Sequence, residues 1–187
     1  GEVTAEGKVY KGLRMKKTYE FEPLPQGIDP KYILGGQANL WTEQILSLRS
    51  AQYLTWPRSM SIAETLWSPK EKKNWQSFSG KVEKQFEILD ALNIKHAKSM
   101  YDPIVTTTSN TKGELIAKME GEVDNLKFYY SIDESLPDQF SDEYKGAFVV
   151  PSDVTILRVI SYRNGKPIGK MLHIPMESLQ SRAVKTL

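Results

Sequence analysis

The sequence predicts an α+β chain: one buried strand with its helices, followed by a small β-sandwich. Three observations carry that expectation. The run Ile33-Leu34-Gly35-Gly36-Gln37-Ala38-Asn39-Leu40-Trp41-Thr42-Glu43 is apolar, then glycine-rich, and ends in an aromatic and a carboxylate. Such a run reads as a buried parallel strand, whose C-terminal tip is where a barrel enzyme places its ligand contacts. From about residue 48 to 92 the apolar residues approximate helical spacing. Beyond Tyr101-Asp102-Pro103 the period changes to alternation, in short runs separated by turn residues.

Taken in order, residues 1–32 are expected to be mostly irregular. Pro23, Pro25 and Pro30 fix φ and remove donors, so no long helix fits there. A short extended piece is expected around Thr18–Glu22. The strand at 33–41 follows, then a helix at about 48–67. Its apolar positions are Leu48, Ala51, Leu54, Ile62, Ala63 and Leu66, with Pro57 bending or interrupting it. Ser68-Pro69-Lys70-Glu71 reads as an N-cap with proline at the first helical position. The helix it opens runs to about 92. Its stripe is Trp75, Phe78, Val82, Phe86, Leu89 and Leu92, and Asn93 suits its end.

We place a domain boundary near 102, between 1–102 and 103–187. Strands are expected at Ile104–Thr108, Glu114–Glu120, Leu126–Ile132, Phe148–Val150, Val154–Ser161 and Ile168–Ile174. Asn164-Gly165 signals a hairpin between the last two. Short strands at regular spacing suggest a β-sandwich. From about Ser181 to Leu187 no pattern remains, which reads as a loose tail.

Composition narrows the function. With 40% hydrophobic and 10% aromatic residues the chain can build a core, and a net charge of +2 argues against nucleic-acid or anionic-membrane partners. The absence of cysteine removes disulfides and thiolate metal sites. No apolar run approaches the roughly 18 residues needed to cross a bilayer. Gly1-Glu2-Val3-Thr4 shows no signal-peptide pattern, and without a start methionine it reads as the middle of a loop. We therefore expect the sequence to be a piece of a longer protein, with any export signal upstream.

Trp41 and Glu43 are the candidate binding residues. Side chains alternate along a strand, so the two share one face. An indole can stack on the C–H face of a sugar while a neighbouring carboxylate takes two adjacent hydroxyls. Other groups are read as structural. Trp56, Trp67 and Trp75 sit at helical spacing and are expected in the core, and Arg58 and Glu64 are expected to make an ion pair or hydrogen bonds. Gly35 and Gly36 permit close packing, because no G-x-G-x-x-G pattern follows that would cradle phosphate. Asp142-Glu143 lies in a polar loop, His96 and His173 lack ligand spacing, and Lys11–Lys17 reads as a solvated loop. No metal and no cofactor is called for.

Three blocks together carry a resemblance: Gly35-Gly36 through Leu40-Trp41-Thr42-Glu43, then Trp56-Pro57-Arg58, then Ala63-Glu64-Thr65-Leu66-Trp67-Ser68. In this order and spacing they resemble the end of the catalytic domain of β-N-acetylhexosaminidases, the family 20 glycoside hydrolases, over roughly residues 7–102. The second half, through Tyr129-Tyr130-Ser131-Ile132-Asp133 and Pro137, resembles the sandwich domain appended to some bacterial hexosaminidases and chitobiases over roughly 103–176. It departs at Ser131, where threonine is usual, and at Glu134, where glycine is usual. Glutamate disfavours positive φ.

The resemblance implies the last strand and helices of a (β/α)8 barrel, followed by an immunoglobulin- or fibronectin-like sandwich. It implies a substrate-assisted retaining mechanism, in which the substrate's own 2-acetamido oxygen attacks the anomeric carbon. An Asp-Glu pair upstream would orient that group and protonate the leaving oxygen. Nothing in this sequence matches that block, so no catalytic residue is assigned and the chain alone is expected to be inactive. Trp41 would then wall the pocket of the terminal N-acetylglucosamine or N-acetylgalactosamine, and Glu43 would bind its hydroxyls. The parent would be periplasmic or extracellular. The alternative is a non-catalytic carbohydrate-binding or structural module. A bare edge at 33–41 is also expected to favour self-association of the isolated piece.

Overall fold

The computed structural model describes residues 13–43, 45–182 and 184–185. The first twelve residues of the expected irregular stretch, including Lys11 of the basic run, lie outside the described residues, as do Ala183, Thr186 and Leu187 of the expected tail. The architecture is mixed, with helices early and antiparallel sheets late. It comprises two compact units, Glu2–Ala97 and Lys98–Leu187, a division ahead of the expected boundary near 102.

The first unit holds helices α1 (Met15–Tyr19), α2 (Leu48–Thr55), α3 (Arg58–Trp67) and α4 (Trp75–Ala91). The expected helix at 48–67 is interrupted at Trp56-Pro57, where proline lacks the N–H a continuous helix needs. Ser47 caps α2, its side chain accepting from the Ser50 amide at 3.2 Å. On α4 the stripe Phe78, Val82, Phe86 and Leu89 is buried, while Leu92 is exposed. Asn93 adopts φ +52° just past the helix end, the left-handed geometry asparagine tolerates.

Several expectations are corrected in this unit. Thr18 and Tyr19 lie in α1 rather than in an extended piece, and so do Lys16 and Lys17 of the basic run. The cap of α4 is Asn74, whose side chain accepts from the Ser77 amide at 2.8 Å; Ser68 instead closes α3, and a 3-10 turn at Lys70–Lys72 separates the two. The side of α2–α3 that is buried runs through Leu54, Ser61 and Thr65, while Leu48 and Ala63 are exposed. The reason is α1, which packs on α3 and offers polar partners: Thr65 Oγ1 donates to the Tyr19 carbonyl at 3.0 Å, and Lys73 Nζ donates to the same carbonyl at 2.6 Å.

The expected strand at 33–41 forms no ladder. A strand exists through hydrogen bonds to its neighbours, and no described residue pairs with this segment. Leu34 is fully exposed as a result.

The second unit contains two four-stranded sheets, ordered β5-β2-β1-β8 and β4-β3-β6-β7. The strands are β1 (Ile104–Ser109), β2 (Leu115–Glu120), β3 (Lys127–Ser131), β4 (Asp142–Glu143), β5 (Phe148–Val149), β6 (Ile156–Arg163), β7 (Lys166–Pro175) and β8 (Val184–Lys185). Helix α5 (Met176–Arg182) precedes β8, which pairs in parallel with β1 through Thr108↔Val184 and Ser109↔Lys185. The expected loose tail is thus largely structured. Leu179 of α5 enters the core, and Thr107 Oγ1 donates to its carbonyl at 2.7 Å.

Alternation along the strands sets the core: Ala117 and Met119 from β2, Phe128 from β3, Leu157 and Val159 from β6, and Ile174 from β7. The β6–β7 hairpin turns at Asn164-Gly165, with φ of +52° and +72°, as an Asn-Gly hairpin turn requires. Asp142-Glu143 is strand β4, not a loop. Its short ladder pairs Tyr130 with Asp142 and Tyr129 with Glu143, and Lys127 Nζ meets Glu143 Oε1 at 3.1 Å.

Candidate functional site

The segment that carries Trp41 and Glu43 begins with two glycines of different purpose. Gly35 has φ +150°, which a side chain would resist, yet faces open space. Gly36 lies against helix α3: a Cβ there would stand 2.8 Å from Leu66 Cδ2. The glycine pair therefore lets the chain bend and then approach α3 closely.

Beyond this contact the segment reaches the surface. Trp41 is 74% exposed. Glu43 is exposed in a turn closed by the Ile45 amide donating to the Thr42 carbonyl at 3.0 Å. Neither residue is on a ladder, so strand alternation does not fix their relative direction. What the structure establishes for both is access to solvent and a common short segment.

The residues read as structural take varied positions. Arg58 Nε donates to the Leu54 carbonyl at 3.1 Å and Arg58 Nη1 to the Leu13 carbonyl at 3.3 Å. Glu64 instead meets Lys81 at 3.4 Å. Trp75 joins an aromatic cluster, 5.3 Å from Tyr19 edge-on, while Tyr19 stacks on Phe78 at 4.8 Å. Burial raises the Tyr19 phenol above its ordinary value, and the Glu64 charge adds to the shift. Trp67 departs from the core expectation: it is 88% exposed. It stands at the last turn of α3, beside an open groove lined by Trp56, Met60, Glu64, Phe78 and Val82. Sequence reasoning missed this groove, although Met60, Ala63 and Trp67 already form a helical i, i+3, i+7 stripe.

The histidines have separate partners. His96 is buried, stacks on Phe86 at 4.4 Å, and has Nε2 3.0 Å from Asp90 Oδ1. His173 Nδ1 accepts from Arg158 Nε at 3.2 Å. Among the described residues no group of three His, Cys, Asp or Glu could hold a metal ion, and no helix is long and apolar enough to cross a membrane.

Comparison with known proteins gives these residues a family. Residues 2–70 match the model of the glycosyl hydrolase family 20 catalytic domain. The chain belongs to that family, through the part of its first unit that includes Trp41, Glu43 and helix α3. Its relatives are hexosaminidases. It is 26% identical over 165 residues to a β-hexosaminidase of Porphyromonas gingivalis, covering 84% of this chain and 20% of that protein. It is 27% identical over 85 residues to a β-N-acetylhexosaminidase of Cellulomonas fimi, covering 44% of this chain and 17% of the relative. It is 31% identical over 75 residues to a β-hexosaminidase of Akkermansia muciniphila, covering 38% and 15%. The chain thus spans about a fifth or less of the length of these relatives.

Proposed function

We propose that this chain is part of an exo-acting β-N-acetylhexosaminidase that removes terminal, non-reducing N-acetyl-hexosamine residues from glycans. The observation that carries the reading is the family 20 catalytic-domain match over residues 2–70, with the Trp41-Thr42-Glu43 block inside it. Trp41 stacks on the terminal sugar, and Glu43 accepts hydrogen bonds from its hydroxyls. Their exposure supports this, since both are open to a ligand.

The reaction is substrate-assisted and retaining. The acetamido oxygen of the substrate forms a bond to the anomeric carbon as the glycosidic bond breaks, and an acid delivers a proton to the departing oxygen. Water then opens the cyclic intermediate. That acid belongs to an Asp-Glu pair outside this sequence. Glu43 binds sugar and does not replace it. General acid catalysis contributes about 10²–10⁴-fold, so the chain alone falls short of turnover.

In this reading the first unit is the end of the catalytic barrel, and 33–41 becomes a strand when neighbouring strands flank it. The second unit is a β-sandwich that buttresses the enzyme. Its tyrosines favour buttressing over sugar binding, because Tyr130 stacks on Phe148 at 4.6 Å and Tyr129 meets Tyr162 edge-on at 4.9 Å. The test is a titration of the chain with N-acetylglucosamine followed by tryptophan fluorescence, beside an assay on a chromogenic N-acetylglucosaminide. The expected result is a fluorescence response that Trp41→Ala abolishes, and no chromophore release. A response that persists in Trp41→Ala sinks the pocket assignment, and clear release by the purified chain sinks the placement of the acid elsewhere.

A further inference from the structure

We propose that Leu66 is a positioning residue for Trp41, acting through Gly36. Its functional meaning rests on Trp41 belonging to the sugar-holding surface, but the mechanical claim stands on geometry alone. The segment from 33 to 41 has no ladder to hold it. At Gly36 the backbone comes so close to α3 that a single methyl group would overlap Leu66 Cδ2 at 2.8 Å and touch Cδ1 at 3.4 Å. Contacts below 3.0 Å force something to move. Trp41 follows five residues later in the same segment.

Helix α3 is a firm base for that contact. Next to Leu66, Thr65 is buried and tied to the Tyr19 carbonyl at 3.0 Å. Lys73 Nζ reaches both Tyr19 O at 2.6 Å and Thr65 Oγ1 at 3.3 Å. Thr65 and Leu66 are adjacent on a helix, so Thr65 faces the packed side while Leu66 turns toward Gly36. Gly35 supplies the bend, at φ +150°, that lets the next residue settle on Leu66. The isobutyl group thereby sets where the segment leaves α3, and so where the indole stands.

Steric exchange tests this. The chain is labelled with 5-fluorotryptophan, and the Trp41 fluorine resonance is assigned by Trp41→Phe. Gly36→Ala is expected to move that resonance and raise the exposure of Trp41 to a quencher, leaving the Trp75 resonance and the melting of α4 unchanged. Gly36→Ala with Leu66→Ala is expected to restore the Trp41 resonance, because the shortened side chain vacates the space that the new methyl needs. In the same samples N-acetylglucosamine affinity is expected to fall about tenfold in Gly36→Ala and to recover in the double variant, within the range a misplacement of about 1 Å can cost. An unmoved Trp41 resonance in Gly36→Ala overturns the proposal, as does a double variant that melts normally yet leaves the resonance displaced. If the wild-type chain shows no sugar response while the resonances behave as stated, the positioning role stands and the sugar assignment fails.

Discussion

Asp102 Oδ1 accepts the backbone amide hydrogen of Lys170 at 2.6 Å, beside a glycine with no room for a side chain. A Cβ on Gly169 would lie 2.7 Å from the same carboxylate oxygen and 3.0 Å from the Tyr101 carbonyl carbon. Gly169 also has φ +77°. Asp102 is buried, so its charge is held by this bond rather than by water. Gly169→Ala therefore combines an overlap with backbone strain, and is expected to destabilise the second unit by about 2–4 kcal/mol. Asp102→Ala loses one charge-assisted bond, worth about 1.5–3 kcal/mol. Urea denaturation followed by tyrosine fluorescence measures both. A Gly169→Ala chain as stable as wild type would refute the steric account.

Glu134 takes the left-handed conformation, φ +66°, despite its side chain. Its side chain offsets part of the strain: Thr155 Oγ1 donates to Glu134 Oε1 at 2.7 Å, and Arg158 Nη1 donates to its backbone carbonyl. A left-handed residue costs about 1–2 kcal/mol, while an exposed hydrogen bond returns about 0.5–1.5 kcal/mol. The two nearly cancel, so Glu134→Gly is expected to change stability by less than about 1 kcal/mol. Glu134→Val loses the bond and adds a β-branched clash, and should cost about 2 kcal/mol or more. Thermal melts of the two variants should separate widely; similar melts would show that the turn does not depend on this φ.

That turn also marks how far the sequence could be read. Glu134 was visible as the one awkward residue of a familiar hairpin, but its compensating partners, Thr155 and Arg158, are more than twenty residues away and invisible to local pattern. The antiparallel strands were legible because alternation is local, and β6–β7 because Asn164-Gly165 announces its own turn. Strands β4 and β8 were missed, being only two residues each. The buried side of α3 was missed because it is polar: Ser61 and Thr65 face α1, and propensity does not foresee a hydroxyl matched to a carbonyl. For the candidate site, sequence supplied the residue types, but the Gly36–Leu66 approach needed coordinates. The strand character of 33–41 was read from composition, whereas its ladder depends on partners that no local run can supply.

Two candidate caps for α4 were written in the sequence, and the structure uses the second. Asn74 accepts from the Ser77 amide at 2.8 Å, so Asn74→Ala leaves a helix-end donor without its partner and should cost about 1 kcal/mol. Ser68 ends α3, where its amide donates to the Glu64 carbonyl at 3.0 Å through the backbone alone. Ser68→Ala keeps that bond and is expected to stay within about 0.5 kcal/mol of wild type. Circular dichroism melts of the two variants decide which residue starts the helix.

Acid should loosen the turn at Asp133. The Ser135 hydroxyl and amide both donate to Asp133 Oδ1, at 2.6 and 3.1 Å, and hold its carboxyl below the usual carboxylate range. The folded turn thus binds a proton less readily than the unfolded chain. Its contribution is present above the ordinary aspartate value and is lost as pH falls through the lowered one. The Ser135 amide resonance should shift on acidification below the normal aspartate range, and Asp133→Asn should flatten that response. An unshifted Ser135 amide across the same range would contradict the assignment.

Replacing Trp41 and Glu43 separates stacking from hydrogen bonding in the proposed sugar contact. Stacking of an indole contributes about 0.5–1.5 kcal/mol beyond its buried area. A hydrogen bond to a charged carboxylate contributes about 1.5–3 kcal/mol. Glu43→Ala should therefore weaken N-acetylglucosamine binding at least as much as Trp41→Ala, each by about tenfold or more. Glu43→Gln keeps one acceptor and removes the charge, and should fall between Glu43→Ala and wild type. Both groups are exposed, so none of these changes leaves a cavity and the melting temperature should hold. Because the two residues would touch one sugar, the double variant should lose less than the sum of the single losses. Calorimetric titration of the four variants measures this, and a strictly additive double variant would mean that Trp41 and Glu43 do not serve the same ligand.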